Sequence, residues 1–290
     1  MARGRFVNAI LFFILCVIWG SSFILMKEGM KQLSAYQVAT LRILSAGLVL
    51  LPVAVRQFKK IPSNKMGYVL LSGVLGSFFP AFLFCLAETR IDSSLAGFLN
   101  SLTPVFTIVT GLLFFKQVFQ WHKLVGVSIA IMGMLVLLLA RGSVDMQYMH
   151  YAFFVLAATI MYGVNINLVG RHLSQIGSLA VVAVSFALLL APCIVILILT
   201  GYFRLPLLQG EVMLATGASA MLGIMGTAVA TVLFYRLINR AGGLFASMVT
   251  YGVPFVALFW GVVAGESINM WQLLGLAVIL CGVYITGSKR

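Results

Sequence analysis

Residues 73–121 read GVLGSFFPAFLFCLAETRIDSSLAGFLNSLTPVFTIVTGLLFFKQVFQW, and residues 223–271 read GIMGTAVATVLFYRLINRAGGLFASMVTYGVPFVALFWGVVAGESINMW. The two stretches overlay at a shift of 150 without a gap. Gly73, Gly76, Leu83, Phe84, Arg90, Ala96, Pro104, Gly111 and Trp121 meet identical residues at Gly223, Gly226, Leu233, Phe234, Arg240, Ala246, Pro254, Gly261 and Trp271. Nine identities in 49 positions are modest as a number, but most fall on Gly, Pro and Trp, which a shared apolar composition does not bring into register. A shorter shift aligns Trp19-Gly20 with Tyr162-Gly163, and another aligns Pro52 with Pro192. The chain is therefore expected to be two related units, residues 1–142 and 143–290.

Composition identifies the solvent. The 290 residues are 62% hydrophobic and 9% charged, with mean hydropathy +1.12. A soluble domain carries about 25% charged residues, so a water-soluble globule, a disordered chain and a disulfide-rich secreted domain are all excluded. Ten apolar runs cover residues 6–26, 35–55, 66–87, 94–115, 121–140, 149–169, 178–200, 211–235, 243–264 and 270–286. Each approaches the roughly 20 residues that a membrane-crossing helix needs. The net charge of +13 does not point to nucleic acid, because the basic residues sit in gaps between apolar runs and form no patch on a polar domain.

Those gaps also set the orientation. With the N-terminus in the cytoplasm, 13 basic residues lie in inside segments, among them Arg56, Lys59, Lys60, Lys65, Arg171, Arg236 and Arg240. Five lie outside: Lys27, Lys31, Arg90, Arg141 and Arg204. All six acids (Glu28, Glu88, Asp92, Asp145, Glu211, Glu266) fall at the outer side. This is the asymmetry of loop charges that orients membrane proteins, and it places both termini in the cytoplasm. Five spans per unit is an odd number, so the second unit enters the membrane from the opposite side. Inverted repeats of this kind are an architecture of secondary transporters. Two related halves of opposite orientation have two packings of similar energy, one open to each side, and alternating access follows. The chain contains no G-x-x-x-x-G-K-[ST] loop, so no nucleotide drive is visible.

Several stretches carry a family resemblance. They are Trp19-Gly20-Ser21-Ser22-Phe23, Leu41-Arg42-Ile43, Ser101-Leu102-Thr103-Pro104, Gly265-Glu266 before Trp271-Gln272-Leu273-Leu274-Gly275, and Gly282-Val283. By their order, spacing and duplication the chain resembles the drug/metabolite transporter superfamily, specifically the ten-helix EamA-type carriers. The resemblance implies an all-α bacterial inner-membrane protein. It also implies a small-molecule substrate, often an amino acid, related metabolite or drug, and no cofactor. In that fold helices 1, 3, 4, 6, 8 and 9 line a central cavity, and helices 5 and 10 are peripheral. One departure is Lys116, where the family's first repeat usually has Glu, as at Glu266. This favours a helix-start role for Glu266 over a shared loop function.

Polar side chains inside spans are costly and therefore informative. Trp19 and Ser22 in the first span pair, under the shorter shift, with Tyr162 and Asn165 in the sixth. Asn100 precedes Pro104, and Thr250 and Tyr251 precede Pro254. A polar cluster before a duplicated proline can form a substrate site at a bent helix, since proline frees a carbonyl. Trp19, Ser22, Asn100, Tyr162, Asn165, Thr250 and Tyr251 are thus candidate substrate-binding residues. The competing reading is interhelical hydrogen bonding, common for such side chains in lipid. Arg42 is the one basic residue well inside a span; it is expected to snorkel outward or to pair with Glu88 or Glu28. The glycine ridges Gly126/Ala130/Gly133 and Gly275/Ile279/Gly282 suggest close helix packing or dimerisation, giving a monomer or weak homodimer. Cys16, Cys85, Cys193 and Cys281 read as small buried hydrophobes. The isolated histidines His122, His150 and His172 suggest no metal site.

The reading that results is a secondary carrier for small organic solutes, an exporter of amino acids or related compounds. An importer or drug exporter of the same superfamily, a channel and a membrane enzyme are the alternatives. The cavity should favour neutral or zwitterionic solutes, because no carboxylate lies mid-span to balance a permanent cation. Proton coupling is expected to be weak or absent, with Glu88, held ionised by Arg42, as the nearest coupling group. The charge asymmetry makes one direct prediction: a fluorescent reporter fused after Arg290 will be bright and an alkaline phosphatase fusion inactive. The opposite pair of readings overturns the orientation.

Overall fold

The computed structural model describes residues 2–91, 93–118, 120–140, 148–263 and 269–287. The expected unit boundary at 142–143 and the Gly265-Glu266 pair lie outside the described residues. Among the described residues every regular element is helical. Ten apolar helices run along the chain: α1 (Gly4–Met30), α2 (Ala35–Lys60), α3 (Ser63–Ala87), α4 (Leu95–Phe115), α5 (Trp121–Ala140), α6 (Ala152–Leu173), α7 (Ser178–Leu199), α8 (Gly210–Ala241), α9 (Gly243–Val256) and α10 (Met270–Thr286). The first eight are long and apolar enough to cross a membrane, and α9 and α10 are shorter over the described stretch. Large apolar side chains such as Phe13, Leu113, Phe114 and Phe153 are exposed. In water that surface would be a liability; facing acyl chains it is the expected outside of an all-α membrane protein.

Local sequence explains the helix starts. Ser34 and Gln37 form a reciprocal capping box at α2. At α10 the same device is built by Asn269 and Gln272: each backbone N–H donates to the other's side-chain oxygen at 2.9 Å. Asn269 also donates through Nδ2 to the Ala140 carbonyl at 3.0 Å, tying the start of α10 to the end of α5.

The packing follows the repeat. α2 lies against α7, and α5 against α10. α1 packs on α8 and α9, while α6 packs on α3 and α4. Exchanging the two units maps the first two pairs onto themselves and interchanges the others, as inverted five-helix units require. The repeated glycines sit at these crossings. A Cβ on Gly223 would collide with Ser45 Oγ, and one on Gly73 would come 2.9 Å from Ser185 Cβ. A Cβ on Gly20 would meet Val256 at 2.5 Å, and one on Gly163 the Phe106 backbone at 2.7 Å. Each pair is the counterpart of the other across the repeat.

The two glycine ridges face one another inside the chain. A Cβ on Gly282 would lie 2.5 Å from the Gly126 carbonyl, and one on Gly133 would lie 2.8 Å from the Gly275 carbonyl. Both are therefore occupied by α5–α10 packing and do not face a second copy. Cys16, Cys85 and Cys193 are buried as expected, but Cys281 is exposed on α10. Its helix buries one face, and Cys281 lies beside the buried stripe of Ile279 and Gly282.

Segments assigned to one side by charge also meet in space. Gln32 Nε2 donates to Glu211 Oε2 at 2.6 Å, joining the α1–α2 turn to the start of α8. Arg240 Nε donates to Asn8 Oδ1 at 3.0 Å at the other end. The tight seats generate a prediction. Gly223→Ala should destabilise the protein by about 1–3 kcal/mol through overpacking. Gly217→Ala, in the same helix but with open space where the methyl group would go, should be neutral or stabilise by under about 1 kcal/mol. Thermal unfolding of the two variants in detergent checks the contrast.

Candidate functional site: a cavity between the two units

α1, α3, α4, α6, α8 and α9 surround a cavity, and α2 contributes Arg42. The described parts of α5, α7 and α10 contribute nothing to its wall. The site arises where the helices depart from regular geometry. α3 holds a π-helical turn at Val74–Phe78, and α8 holds one at Leu222–Val229. These are the same place in the two units. Such turns carry an extra residue, expose backbone groups and recur at functional sites. Gly76 and Gly226 sit within them. A Cβ on Gly76 would collide with Asn165 Nδ2, and one on Gly226 would fall 2.7 Å from Ser22 Oγ. The shift that pairs Trp19 with Tyr162 also pairs Ser22 with Asn165, so each unit's π turn seats the other unit's polar side chain.

α4 and α9 are interrupted. α4 breaks at Ser101-Leu102, just before Thr103-Pro104, and α9 breaks at Met248, six residues before Pro254. Proline at 104 removes the donor for the Asn100 carbonyl. Thr103 Oγ1 donates to that carbonyl instead, at 2.6 Å. In α9 the hydroxyl of Thr250 donates to the Ser247 carbonyl at 3.0 Å, beside the break at Met248. Asn100, Thr103, Ser247 and Thr250, which flank these breaks, all line the cavity.

Two aromatic pairs complete the wall. Trp19 packs edge-on against Phe234 with ring centres 5.0 Å apart, and Tyr162 stacks on Phe84 at 6.1 Å. Phe84 and Phe234 are repeat counterparts. Trp19 Nε1 donates to the Gly226 carbonyl in the π turn at 3.0 Å.

Of the candidate binding residues, Trp19, Ser22, Asn100, Tyr162, Asn165 and Thr250 open onto this one cavity. Tyr251 does not. It is buried against α5 with its hydroxyl 3.5 Å from the Val127 carbonyl. One helical step of about 100° turns it away from Thr250. Asn165 lines the wall with its amide engaged: Nδ2 donates to the Tyr235 hydroxyl at 3.0 Å, and that hydroxyl reaches the Ser72 carbonyl at 3.3 Å.

Arg42 lines the cavity, and among the described residues it forms no ion pair. Its Nε donates to Thr227 Oγ1 of α8 at 2.6 Å. Glu28 pairs with Lys31 at 2.6 Å. Glu88, just beyond α3, lies outside the cavity wall and forms no ion pair with Arg42. Its Oε2 accepts from Ser93 Oγ at 2.8 Å, while Oε1 is sealed from solvent without a partner among the described residues. Burial pushes the Glu88 carboxyl up to about 8, against the opposing pull of Ser93, Lys27 and Arg42. The expectation that Arg42 holds Glu88 ionised is therefore corrected: desolvation outweighs a positive charge that is not in contact. Sequence reading also missed Thr227. It is the repeat counterpart of cavity-lining Ser77, and a hydroxyl retained at both positions was the available signal.

The cavity can therefore stack, hydrogen-bond and attract negative charge. The profile of the EamA-like transporter family matches residues 7–139 and again residues 149–288. The chain belongs to that family. Relatives span nearly all of it. An uncharacterised transporter from Archaeoglobus fulgidus is 25% identical over 94% of this chain and 95% of its own. An S-adenosylmethionine/S-adenosylhomocysteine transporter from Chlamydia trachomatis is 25% identical over 94% and 86%. A probable amino-acid metabolite efflux pump from Salmonella typhimurium is 26% identical over 93% and 91%. A crystal structure 18% identical superposes with a TM-score of 0.69 over 96% of this chain and 95% of that one, which shows a shared fold. This EamA-family chain is thus a membrane transporter of small molecules.

Glu88 gives a pH prediction. Its folded pKa lies above the ordinary carboxylate value, so the folded state binds the extra proton. The contribution of Glu88 to stability is full below about pH 4.5 and is lost as pH rises through about 8. Glu88→Gln, which mimics the protonated form, should melt higher than the parent at pH 9, and the gap should close at pH 5. Parallel melting curves across that range read it directly; a gap independent of pH contradicts the assignment.

Proposed function

We propose that this chain is a secondary carrier that exports amino acids or related small metabolites across the bacterial inner membrane by alternating access, with both termini cytoplasmic and no cofactor. The observation that carries the reading is the cavity itself. It lies at the junction of two inverted units and is lined by hydroxyls, amides and aromatic rings. Trp19, Ser22, Asn100, Tyr162 and Thr250 contact the solute in this reading, and Asn165, held by Tyr235, shapes the wall. Pro104 and Pro254 keep the bends that expose them. The compounds named for the Chlamydia and Salmonella relatives, S-adenosylmethionine, S-adenosylhomocysteine and amino-acid metabolites, share an amino-acid end. The absence of a mid-span acid favours zwitterions over permanent cations, and export follows the gradient of a metabolite made in excess.

The test is counterflow in proteoliposomes preloaded with each of the twenty amino acids, using the same labelled compound outside. Exchange should appear for a subset. Asn100→Ala should slow it about three- to tenfold at unchanged abundance, the effect of one hydrogen bond. Exchange of none of the twenty, together with uptake of a quaternary ammonium dye, overturns the reading.

A further inference from the structure

The cavity wall contains a cation with no protein counter-ion among the described residues. Arg42 lies about 10 Å along α2 from Ala35, at 1.5 Å per residue, well inside the span. Its guanidinium has five N–H donors. Nε is fixed on Thr227 Oγ1 at 2.6 Å, which holds the side chain across the gap between α2 and α8, and Arg42 lines the cavity. None of the described acids forms an ion pair with it. Glu28 pairs with Lys31, Glu211 accepts from Gln32, and Glu88 accepts from Ser93.

A cation left unpaired in a low-dielectric interior is strongly unfavourable. Arginine's planar fork is also the side chain best matched to the two oxygens of a carboxylate. From this geometry we infer that Arg42 is the docking point for a carboxylate on the transported solute. The inference rests on the carrier reading and specifies its substrate class: small carboxylates whose remaining body packs against Trp19 and Tyr162. The repeat counterpart of Arg42 is Val182, which is fully buried. The cavity therefore has one anion-binding end, and the solute enters it in a single orientation. Thr227 is a positioning residue, acting through the bond that aims the fork.

The test measures binding to the purified full-length protein in detergent, as ligand-induced thermal stabilisation titrated to a dissociation constant. The probes are the twenty amino acids, each against its carboxamide, which keeps the side chain and amine but removes the negative charge. Acids should bind about ten- to a hundredfold more tightly than their amides, the range of a charge-assisted contact. Arg42→Gln should lower acid binding to the level of the amide, and Arg42→Lys should recover part of the difference. Equal binding of acids and amides by the parent, or a gap that survives in Arg42→Gln, overturns the inference while leaving an amino-acid carrier intact. Stabilisation by no member of either series overturns the carrier reading together with the inference. Should Arg42→Gln fail to fold, Arg42→Lys and the parent's acid–amide ratio decide the question.

Discussion

Backbone-to-backbone contact between helices of opposite units is the constraint on which the rest of this protein depends. Lipid tails are as apolar as leucine, so burying more leucine does not drive helices together in a bilayer; small residues that permit close approach do. Here the small residues are placed in counterpart sets. Gly20 and Gly163 admit α9 and α4. Gly73 and Gly223 admit α7 and α2. The ridges of α5 and α10 interlock through Gly126, Gly133, Gly275 and Gly282. A methyl group at almost any of these points would push two main chains apart.

The same contacts decide where polar groups can survive. Most hydroxyls inside the spans bond back to a carbonyl three or four residues earlier, as Thr107 does to Thr103 and Ser219 to Ala215. Such bonds satisfy the hydroxyl without a partner helix. Asn167 is purely structural, because its Nδ2 reaches the carbonyls of Thr107 and Gly163 and the Thr110 hydroxyl, pinning α6 to α4. The cavity lies where the backbone ladder itself is interrupted, at a π turn in α3 and in α8 and at the breaks in α4 and α9, while its hydroxyls Ser22, Thr103, Ser247 and Thr250 still bond back to nearby carbonyls. Its polarity is thus a by-product of irregular backbone, and its shape is held by the glycines around it.

How much of this could be read from the chain depended on whether a signal was periodic or directional. The ten helices were legible because apolar length and loop charge repeat along the sequence. The pairing of Ser22 with Asn165 was legible because the duplication preserves it. Tyr251 was misplaced because adjacency to Thr250 in sequence says nothing about facing; the helix break before it resets the phase. Arg42 was recognisable as an anomaly, but its partner Thr227 lies 185 residues away and is unremarkable in composition. Glu88 was judged by its neighbours in sequence and charge, whereas its state is set by the depth at which its oxygen is buried. The exposure of Cys281 depends on which face of α10 meets α5, and a helix hydrophobic all round does not declare that face.

Because exchanging the units maps the helix pairings onto themselves, a form opened toward one side of the membrane and the form opened toward the other would be assembled from nearly the same set of contacts. Contributions shared by both cancel in the difference between them. What remains comes only from positions where the two units differ, among them Arg42 against Val182, Ser22 against Asn165 and Cys85 against Tyr235. Any resting bias between the two sides is therefore encoded in the positions that differ between the units, and the duplicated seats, however strongly they hold the fold together, contribute almost nothing to it.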